Sequence, residues 1–269
     1  MSRRLRLDAE LVRRGLARSR DHASELIGQG RVVGAGAVAT KPATGVTTDA
    51  AVVVTDDGGG GPEYASRGGH KLVSALEVFQ PSGLRVRDRL TLDAGASTGG
   101  FTDVLLRAGA RLVVAVDVGY GQLAWRLRQD DRVVVLDRTN VRDLVPDLLP
   151  GAPELVVGDL SFISLTVVLP ALVCVAADDA DLVLMVKPQF EVGRERLGKG
   201  GVVRDPGLRL AAVQSVAAAA WTHGYGVRGV CASALPGPAG NVEYFLWLHR
   251  AGKPLDVPSA ERVVADGPQ

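Results

Sequence analysis

Four charged residues occupy positions at which a catalytic role is the best explanation for a charged side chain. Asp159 and Lys187 each end an apolar run that predicts a buried strand, Lys71 lies in the string SRGGHKL, and Glu243 lies in GNVEYFLW. In an α/β sheet, ligands bind beyond the carboxyl ends of the strands. Buried ion pairs are weak evidence for stability, so converging charges at that edge favour a functional site. The sequence predicts that Lys71, Asp159, Lys187 and Glu243 form a catalytic set.

Such a set suits the transfer of a methyl group to a weakly acidic hydroxyl. A lysine near the attacking oxygen favours its deprotonation and stabilises the developing negative charge. The carboxylates can orient that lysine and change its pKa. Because methyl transfer is a direct displacement, holding the hydroxyl in line with the methyl group contributes as much as acid–base help.

The string LDAGASTGGF, residues 92–101, lies where a strand turns into a helix. Its glycines allow a ligand to approach the backbone, and the helix N-terminus offers unpaired amides. Asp117 follows Gly95 by 22 residues, at the end of the next strand. A carboxylate there can accept hydrogen bonds from the ribose hydroxyls of an adenosine-containing cofactor. The predicted cofactor-binding residues are Asp93, Gly95, Ala96, Ser97, Thr98, Gly99, Gly100, Phe101, Asp117 and Asp159.

Strands and helices alternate after residue 62, which predicts an α/β fold with a Rossmann-like, parallel, seven-stranded sheet covered on both faces. Residues 99–108 and 207–224 have helical composition. The predicted strands are Leu90–Ala94, Leu112–Val118, Arg132–Leu136, Leu155–Asp159, Leu182–Lys187, Val227–Ala232 and Tyr244–His249.

A small α+β domain is predicted before this sheet. Ser19 can cap a helix that buries Ala23, Leu26 and Ile27, and short strands with turns follow over residues 31–54. The string DDGGGGP at residues 56–62 predicts a linker, because four consecutive glycines do not hold regular structure. We therefore expect one domain over residues 1–61 and a second over residues 62–269.

The net charge of +1 hides an asymmetry between these parts. Residues 1–48 contain nine Lys or Arg against four Asp or Glu, a balance of +5, which leaves −4 for the rest of the chain. A basic head on a mildly acidic body predicts a polyanionic partner bound by the head.

Other sequence features exclude several classes of protein. The basic start MSRRLRLDAE lacks the apolar core of a secretory signal, and the apolar stretch 165–177 is too short to span a bilayer. A cytoplasmic protein without a membrane role is therefore expected. Cys174 and Cys231 have no metal-type or redox-type spacing. Both are predicted to be buried neutral thiols, and no metal is expected.

The motifs together resemble one family closely. The four charged residues occur with DAGASTGGF, DVGYGQL, DLSFIS, KPQFEVG and PGPAGNVEYF, while the head contains RLD, GLARSR, ELIGQGRV and KPAT. This combination resembles the TlyA family of rRNA 2′-O-methyltransferases over nearly the whole chain. The resemblance implies an S4-like RNA-binding domain followed by an FtsJ-like methyltransferase domain.

The resemblance also implies an activity and further site residues. The expected reaction is S-adenosylmethionine-dependent methylation of cytidine ribose in 16S and 23S rRNA within ribosomal subunits, by a monomer. The modification would support susceptibility to capreomycin-type antibiotics. Lys71, Asp159, Lys187 and Glu243 match the family's catalytic set, whereas Ala239 stands where mycobacterial members have serine. The expected RNA-binding residues are Arg4, Arg6, Arg18, Arg20, Lys41, Phe162 and Asn241, with the basic side chains on phosphates and Phe162 stacked on a flipped base.

Three alternatives stay open at this point. The chain could be a non-enzymatic RNA-binding ribosome-assembly protein, although a scaffold has no need of four converging charges. It could be a haemolysin, a name that the family has carried, but no lytic helix is evident. It could be a nicotinamide-dependent dehydrogenase, which the loop spacing disfavours because it is not G-x-G-x-x-G.

Overall fold

The computed structural model describes residues 4–17, 19–28, 30–34, 37–48, 50–54, 64–237 and 239–267, apart from the side chains of Ala37, Arg194 and Lys199. The chain divides into two compact units, residues 1–62 and 63–269. The predicted linker at residues 56–62 and the predicted RNA contact Arg18 lie outside the described residues.

The first unit contains short helices and two small antiparallel sheets. Strand β1 pairs with β4, and β2 pairs with β3 and β5. The helix predicted after Ser19 is present, with the amide of His22 donating to Ser19 Oγ at 3.1 Å, and it buries Ala23, Leu26 and Ile27. The elements are β1 (Arg4–Arg6), α1 (Leu7–Arg13), α2 (Arg20–Gly28), β2 (Val32–Gly34), β3 (Ala37–Val38), β4 (Gly45–Thr47) and β5 (Val52–Val54).

Two buried carboxylates lie at the start of α1. Asp8 accepts hydrogen bonds from Arg6 at 2.8 Å and from Arg20 at 2.9 Å. Glu10 is held in the same way by Arg13, the last residue of α1, and by Arg14, which follows it. The Arg6 guanidinium holds the pKa of Asp8 well below its usual range. Both predicted RNA contacts are therefore also structural partners of a buried acid.

The second unit is built on one seven-stranded sheet with the strand order β11-β12-β10-β9-β6-β7-β8. All seven predicted strands are present in it, with ends that differ by at most two residues. The elements are α3 (Gly68–Phe79), β6 (Leu90–Ala94), α4 (Gly100–Arg107), β7 (Leu112–Val116), α5 (Trp125–Arg128), β8 (Val133–Leu136), β9 (Leu155–Gly158), α6 (Leu165–Val175), β10 (Asp181–Val186), α7 (Pro188–Glu191), α8 (Pro206–Thr222), β11 (Gly226–Ala232), β12 (Tyr244–His249) and α9 (Val257–Asp266).

One strand departs from the predicted parallel arrangement. Strand β12 runs antiparallel to both of its neighbours, β10 and β11. Parallel neighbours need a crossover of a dozen or more residues, usually a helix, whereas antiparallel neighbours can be joined by a loop. The described residues between β11 and β12, at 233–237 and 239–243, contain no helix.

Each face of the sheet carries its own core, because side chains along a strand point alternately to opposite faces. Leu90, Leu92 and Ala94 of β6 pack on the face covered by α6 and α8. The opposite face is covered by α3 and α4. The structure therefore confirms an α/β fold with helices on both sides of the sheet. Asp93, between Leu92 and Ala94, belongs to the α3–α4 side.

Helix α6 contains the apolar stretch that begins at Leu165. It is 11 residues long with Pro170 inside, and no helix in the described ranges is long and apolar enough to cross a membrane. The prediction that both cysteines are buried is wrong for Cys174, which is exposed, while Cys231 is buried. Position 174 falls between the residues that α6 buries at 172 and 175.

We predict that replacing both Arg6 and Arg20 with Ala destabilises the first unit. Asp8 is only 2% exposed and would lose both ionic partners, a change that costs about 1–3 kcal/mol for a buried polar group. Hydrogen exchange of residues 4–28 in the intact protein should show correspondingly faster opening.

The matched control is the double variant Arg4→Ala with Lys41→Ala. Both side chains are exposed, and neither forms an ion pair within the part of the chain that the structure describes. This variant should exchange like the wild type. Equal protection in the Arg6/Arg20 variant would show that Asp8 does not need its arginines.

Candidate active site

The four predicted catalytic residues are brought to the carboxyl edge of the sheet by different elements. Asp159 follows β9 and Lys187 follows β10, which are parallel neighbours. Glu243 precedes β12, and the antiparallel pairing of Val186 with Tyr244 places it beside the end of β10. A reversed strand therefore contributes its first residues to the edge where its neighbours contribute their last.

Lys71 and Glu243 form the more deeply buried of two ion pairs. Lys71 Nζ lies 2.5 Å from Glu243 Oε2, and the two side chains are 6% and 1% exposed. Gln189 Nε2 donates to the other oxygen of Glu243 at 3.4 Å. Lys71 Nζ also lies 3.9 Å from Met185 Sδ on β10. This pair therefore links α3 to β12 and, through Gln189, to the segment that follows Lys187.

Lys187 and Asp159 form the second pair, which reaches solvent. Lys187 Nζ lies 2.6 Å from Asp159 Oδ1, and the Asp159 side chain is 22% exposed. The contact is ionic, without the angles of a hydrogen bond. The ammonium donates instead to Ser161 Oγ at 2.9 Å. Of the two lysines, Lys187 is thus the one whose counter-ion is accessible to a bound substrate.

Helix α3 can deliver Lys71 only because two glycines let it approach the loop after β6. A Cβ on Gly100 would lie 2.8 Å from the backbone nitrogen of Gly69, and a Cβ on Gly69 would lie 3.1 Å from the carbonyl oxygen of Gly100. Real Cβ atoms keep a larger distance, so side chains here would force the two backbones apart. Gly100, predicted as a cofactor contact, therefore has a packing role as well.

The loop after β6 turns sharply against the end of β9. Gly95, Ser97 and Gly99 have φ values of 88°, 48° and 97°, and a Cβ on Gly95 would lie 2.9 Å from the carbonyl oxygen of Asp159. The Asp117 carboxylate accepts hydrogen bonds from the amides of Ser97 and Gly119, at 2.8 and 2.7 Å. The exposed loop residues at 97 and 98 and the Asp117 carboxylate therefore lie beside one another, as a nucleoside site requires.

Phe101 differs from the other predicted cofactor residues. Its side chain is buried, and its ring centroid lies 6.1 Å from that of Phe245 in the core. Any contribution of Phe101 to a ligand comes from its backbone.

Asp93 lies buried beneath this loop with one oxygen unsatisfied. Its Oδ2 accepts a hydrogen bond from Thr102 Oγ1 at 2.7 Å, whereas Oδ1 has no partner among the described residues. Burial raises the pKa of Asp93 to about 7, and the charges of Asp159 and Asp117 add to the rise. Three carboxylates, one of which has an orphan oxygen, fit a ligand with positive groups. S-adenosylmethionine, with its ammonium and sulfonium charges, matches this demand.

Comparison with known proteins identifies the family. The FtsJ-like methyltransferase model matches residues 64–250, and the S4 domain model matches residues 5–52. A Mycobacterium tuberculosis protein named 16S/23S rRNA (cytidine-2′-O)-methyltransferase TlyA is 58% identical over 100% of both chains. The chain belongs to the TlyA family. The FtsJ-like match gives the dehydrogenase alternative no support.

Two further relatives span most of the chain. The Bacillus subtilis protein YqxC, which is named as an rRNA methyltransferase, is 44% identical over 94% of this chain and 88% of its own. A solved structure named as a hemolysin, from Streptococcus thermophilus, is 40% identical with a TM-score of 0.77 and covers 99% of this chain and 96% of its own. The TlyA family thus includes proteins with both kinds of name.

Phe162 is the most exposed large apolar residue at the site of this TlyA-family chain. It is 92% exposed, its φ is 64°, and its ring lies 5.3 Å from that of Phe190. A bulky residue in the left-handed region is an uncommon and strained conformation. Most of the ring surface is therefore exposed, and a role of Phe162 in stacking on a base stays a prediction.

Asn241 has a different environment from that expected of an RNA contact. Its side chain is 2% exposed. The amide of Val203 donates to Asn241 Oδ1 at 2.9 Å, and Asn241 Nδ2 donates to the carbonyl of Gly201 at 3.0 Å. Both ends of the amide are thus used to hold residues 201–203, and a direct RNA contact would have to break these bonds.

Ser161 and Gln189 were not singled out from the sequence, although each contacts a member of the catalytic set. Each stands two residues after a charged member of the set: Ser161 lies outside any helix or strand, and Gln189 lies in the four-residue helix α7, which is too short to show a helical period. Neither helical nor strand periodicity therefore indicates Ser161 or Gln189 as a site residue. In the described ranges, no group of three or more His, Cys, Asp or Glu could hold a metal ion.

We predict that Asp93→Asn changes the pH dependence of stability. A carboxyl whose pKa is about 7 when folded and about 4 when unfolded holds its proton more tightly in the folded state. The free energy of unfolding therefore falls as pH rises from about 4 to about 7 and is constant above. Asparagine removes this loss, so the variant's Tm should exceed that of the wild type at pH 8, with the gap closing towards pH 5.

Calorimetry provides the second half of this test. At pH 8 the Asp93→Asn variant should bind S-adenosylmethionine more weakly, because a neutral amide does not pair with a cation. A Tm difference that is the same at pH 5 and pH 8 would contradict the assignment of a raised pKa to Asp93.

Proposed function

We propose that the chain transfers a methyl group from S-adenosylmethionine to the 2′-hydroxyl of cytidine ribose in 16S and 23S rRNA, within ribosomal subunits. The observation that carries the proposal is the pair of lysine–carboxylate contacts at the carboxyl edge, in a chain 58% identical over its full length to a protein with that name. Two buried lysines held by acids, beside an acidic ligand site, are what transfer to a weakly acidic hydroxyl needs.

The reaction forms a carbon–oxygen bond, breaks the sulfur–carbon bond and releases the hydroxyl proton. S-adenosylmethionine supplies the methyl group. Lys187, aimed by Asp159 and Ser161, would lie beside the ribose oxygen and stabilise its developing negative charge. Asp159 keeps the ammonium in one place before the substrate arrives, so little reorganisation accompanies the reaction.

Lys71 and Glu243 would support Lys187 without contacting the substrate. Their near-complete burial leaves little area for contact with a nucleotide. Glu243 instead accepts from Gln189, two residues after Lys187, and so fixes the turn that presents the catalytic ammonium. Lys71 neutralises the carboxylate that performs this task.

Residues of the loop after β6 would bind the cofactor. The buried Oδ1 of Asp93 has no hydrogen-bond partner among the described residues and would attract the ammonium from beneath the loop, and the remaining acceptor positions of Asp117 would accept from ribose hydroxyls. Ser97 and Thr98 are exposed at the loop tip, and Gly95 lets the loop pass close to the carbonyl oxygen of Asp159.

The basic residues of the first unit would hold folded RNA by its phosphates. Arg4 and Lys41 are exposed, while Arg6 and Arg20 are shared with Asp8 and would contribute less charge. Phe162 would stack on the base of the nucleotide turned out towards Lys187. Loss of these methyl groups is proposed to lower susceptibility to capreomycin-type antibiotics.

The decisive assay incubates the purified chain with labelled S-adenosylmethionine and, separately, with unmethylated 30S and 50S subunits. We expect label in both, recovered as 2′-O-methylcytidine after nuclease digestion. Lys187→Ala should reduce turnover by at least about 100-fold, because it removes charge stabilisation needed in the transition state. Lys253→Ala is the matched control, since Lys253 is exposed beyond the far end of β12 and should leave turnover unchanged.

Each result discriminates between functions. Label in neither subunit, from a folded protein that binds the cofactor, would refute the proposal and favour the ribosome-assembly alternative. Label in one subunit alone would correct the substrate. Leakage from liposomes by the pure protein would be needed to support the haemolysin name.

A further inference from the structure

Two short segments beyond the sheet carry the side chains that would meet RNA. Residues 159–164 follow β9 and contain Asp159 and Phe162, and residues 187–191 follow β10 and contain Lys187. These strands are adjacent and parallel, so the two segments leave the sheet side by side. The first has no regular structure, and the second includes only the four-residue helix α7.

The carboxylate of Glu191 joins these two segments. Its Oε1 accepts a hydrogen bond from the amide of Leu165 at 2.8 Å, and its Oε2 accepts one from Ser164 Oγ at 2.5 Å. Leu165 is the first residue of α6 and Ser164 is its N-cap. Burial raises the pKa of Glu191, and these two hydrogen bonds oppose the rise.

Helix capping alone does not account for this carboxylate. Ser164 Oγ already accepts from the amide of Thr166 at 3.1 Å, which is the usual N-cap bond. The serine proton is committed to Glu191, so the hydroxyl of Thr166 donates to Ser164 across their 2.7 Å contact. The distinctive effect of Glu191 is therefore to fasten the end of one segment to the other.

The fastened segment is strained at its centre. Phe162 has a φ of 64° and is almost fully exposed, so neither conformational preference nor burial holds it in place. Its ring does lie 5.3 Å from that of Phe190 on α7, between centroids. A non-glycine residue in such a region costs about 1–3 kcal/mol and persists only where its surroundings impose it. Lys187 holds the segment before Phe162 through Asp159 and Ser161. Glu191 holds it after Phe162.

We infer that Glu191 is a positioning residue for RNA, which keeps the Phe162 ring raised over the reaction centre by anchoring the residues that follow it. The inference rests on the proposed function, in which Phe162 receives the target base. It predicts that Glu191 acts on the RNA substrate and leaves cofactor binding alone, because the cofactor loop after β6 makes no hydrogen bond to Glu191 within the described residues.

The test compares Glu191→Ala with Glu191→Gln in the full-length chain. Alanine removes both hydrogen bonds. Glutamine retains an acceptor for Leu165, and its NH₂ group can donate to Ser164. We expect kcat/KM for the ribosomal subunit to fall by about tenfold or more in the alanine variant and to stay within about threefold of wild type in the glutamine variant. The dissociation constant for S-adenosylmethionine should change by less than about twofold in both.

The double variant Glu191→Ala with Phe162→Ala tests whether Glu191 acts through Phe162. If it does, Glu191→Ala should add little to the loss caused by Phe162→Ala, since coupled residues are non-additive. Glu261→Ala is the matched control, because Glu261 is exposed on α9. The inference would be overturned if the fold-losses of kcat/KM in the two single variants multiplied to give that of the double variant. It would also be overturned if cofactor affinity fell as much as kcat/KM, because Glu191 would then have a general structural role.

Hydrogen exchange supplies a readout that does not depend on catalysis. The peptide spanning residues 160–167 should exchange faster in Glu191→Ala and near the wild-type rate in Glu191→Gln. Unchanged exchange in the alanine variant would overturn the inference even if activity fell. If the wild type methylated no subunit, the proposed function would fail, and exchange together with RNA affinity would decide whether Glu191 positions Phe162.

Discussion

The ion pair between Lys71 and Glu243 joins a helix outside the sheet to the strand that runs against all the others. Both charges are buried, and removing one partner of such a pair costs about 3–5 kcal/mol because the other is left uncompensated. The pair therefore requires the close approach of α3 to the loop after β6, through Gly69 and Gly100, and the reversal of β12. Gln189 then transmits this constraint to the turn that carries Lys187.

The edge of the sheet is divided by charge. Asp93, Asp117 and Asp159 lie towards β6 and β7, where a cationic cofactor fits, and Lys187 lies towards β10, where a hydroxyl would lose its proton. Asp159 belongs to both halves, since its carbonyl abuts Gly95 and its carboxylate pairs with Lys187. A direct displacement needs donor and acceptor in line, and one residue that borders both sites is a simple way to fix their separation.

Much of this arrangement follows from sequence patterns, and the reasons for the misses are specific. The seven strands were predictable because buried strands are short apolar runs, and Asp159 and Lys187 were found because each ends such a run. The direction of β12 was not predictable, because strand pairing depends on the connection rather than on composition. Whether Arg6 and Arg20 are free or engaged by Asp8 depends on side-chain geometry that spacing does not encode. The same is true of the unsatisfied oxygen of Asp93 and of the bridge made by Glu191.

The position of β12 also has a consequence for the order in which a growing chain can fold. Among the strands that the structure describes, β11 pairs in the sheet with β12, which is synthesised after it. Lys71 likewise cannot form its ion pair until Glu243, 172 residues further along the chain, has been synthesised. Until that last strand is inserted, the nascent chain has an open sheet edge at β10 and an unpaired lysine. Closure of the sheet and completion of the active site are thus the same event.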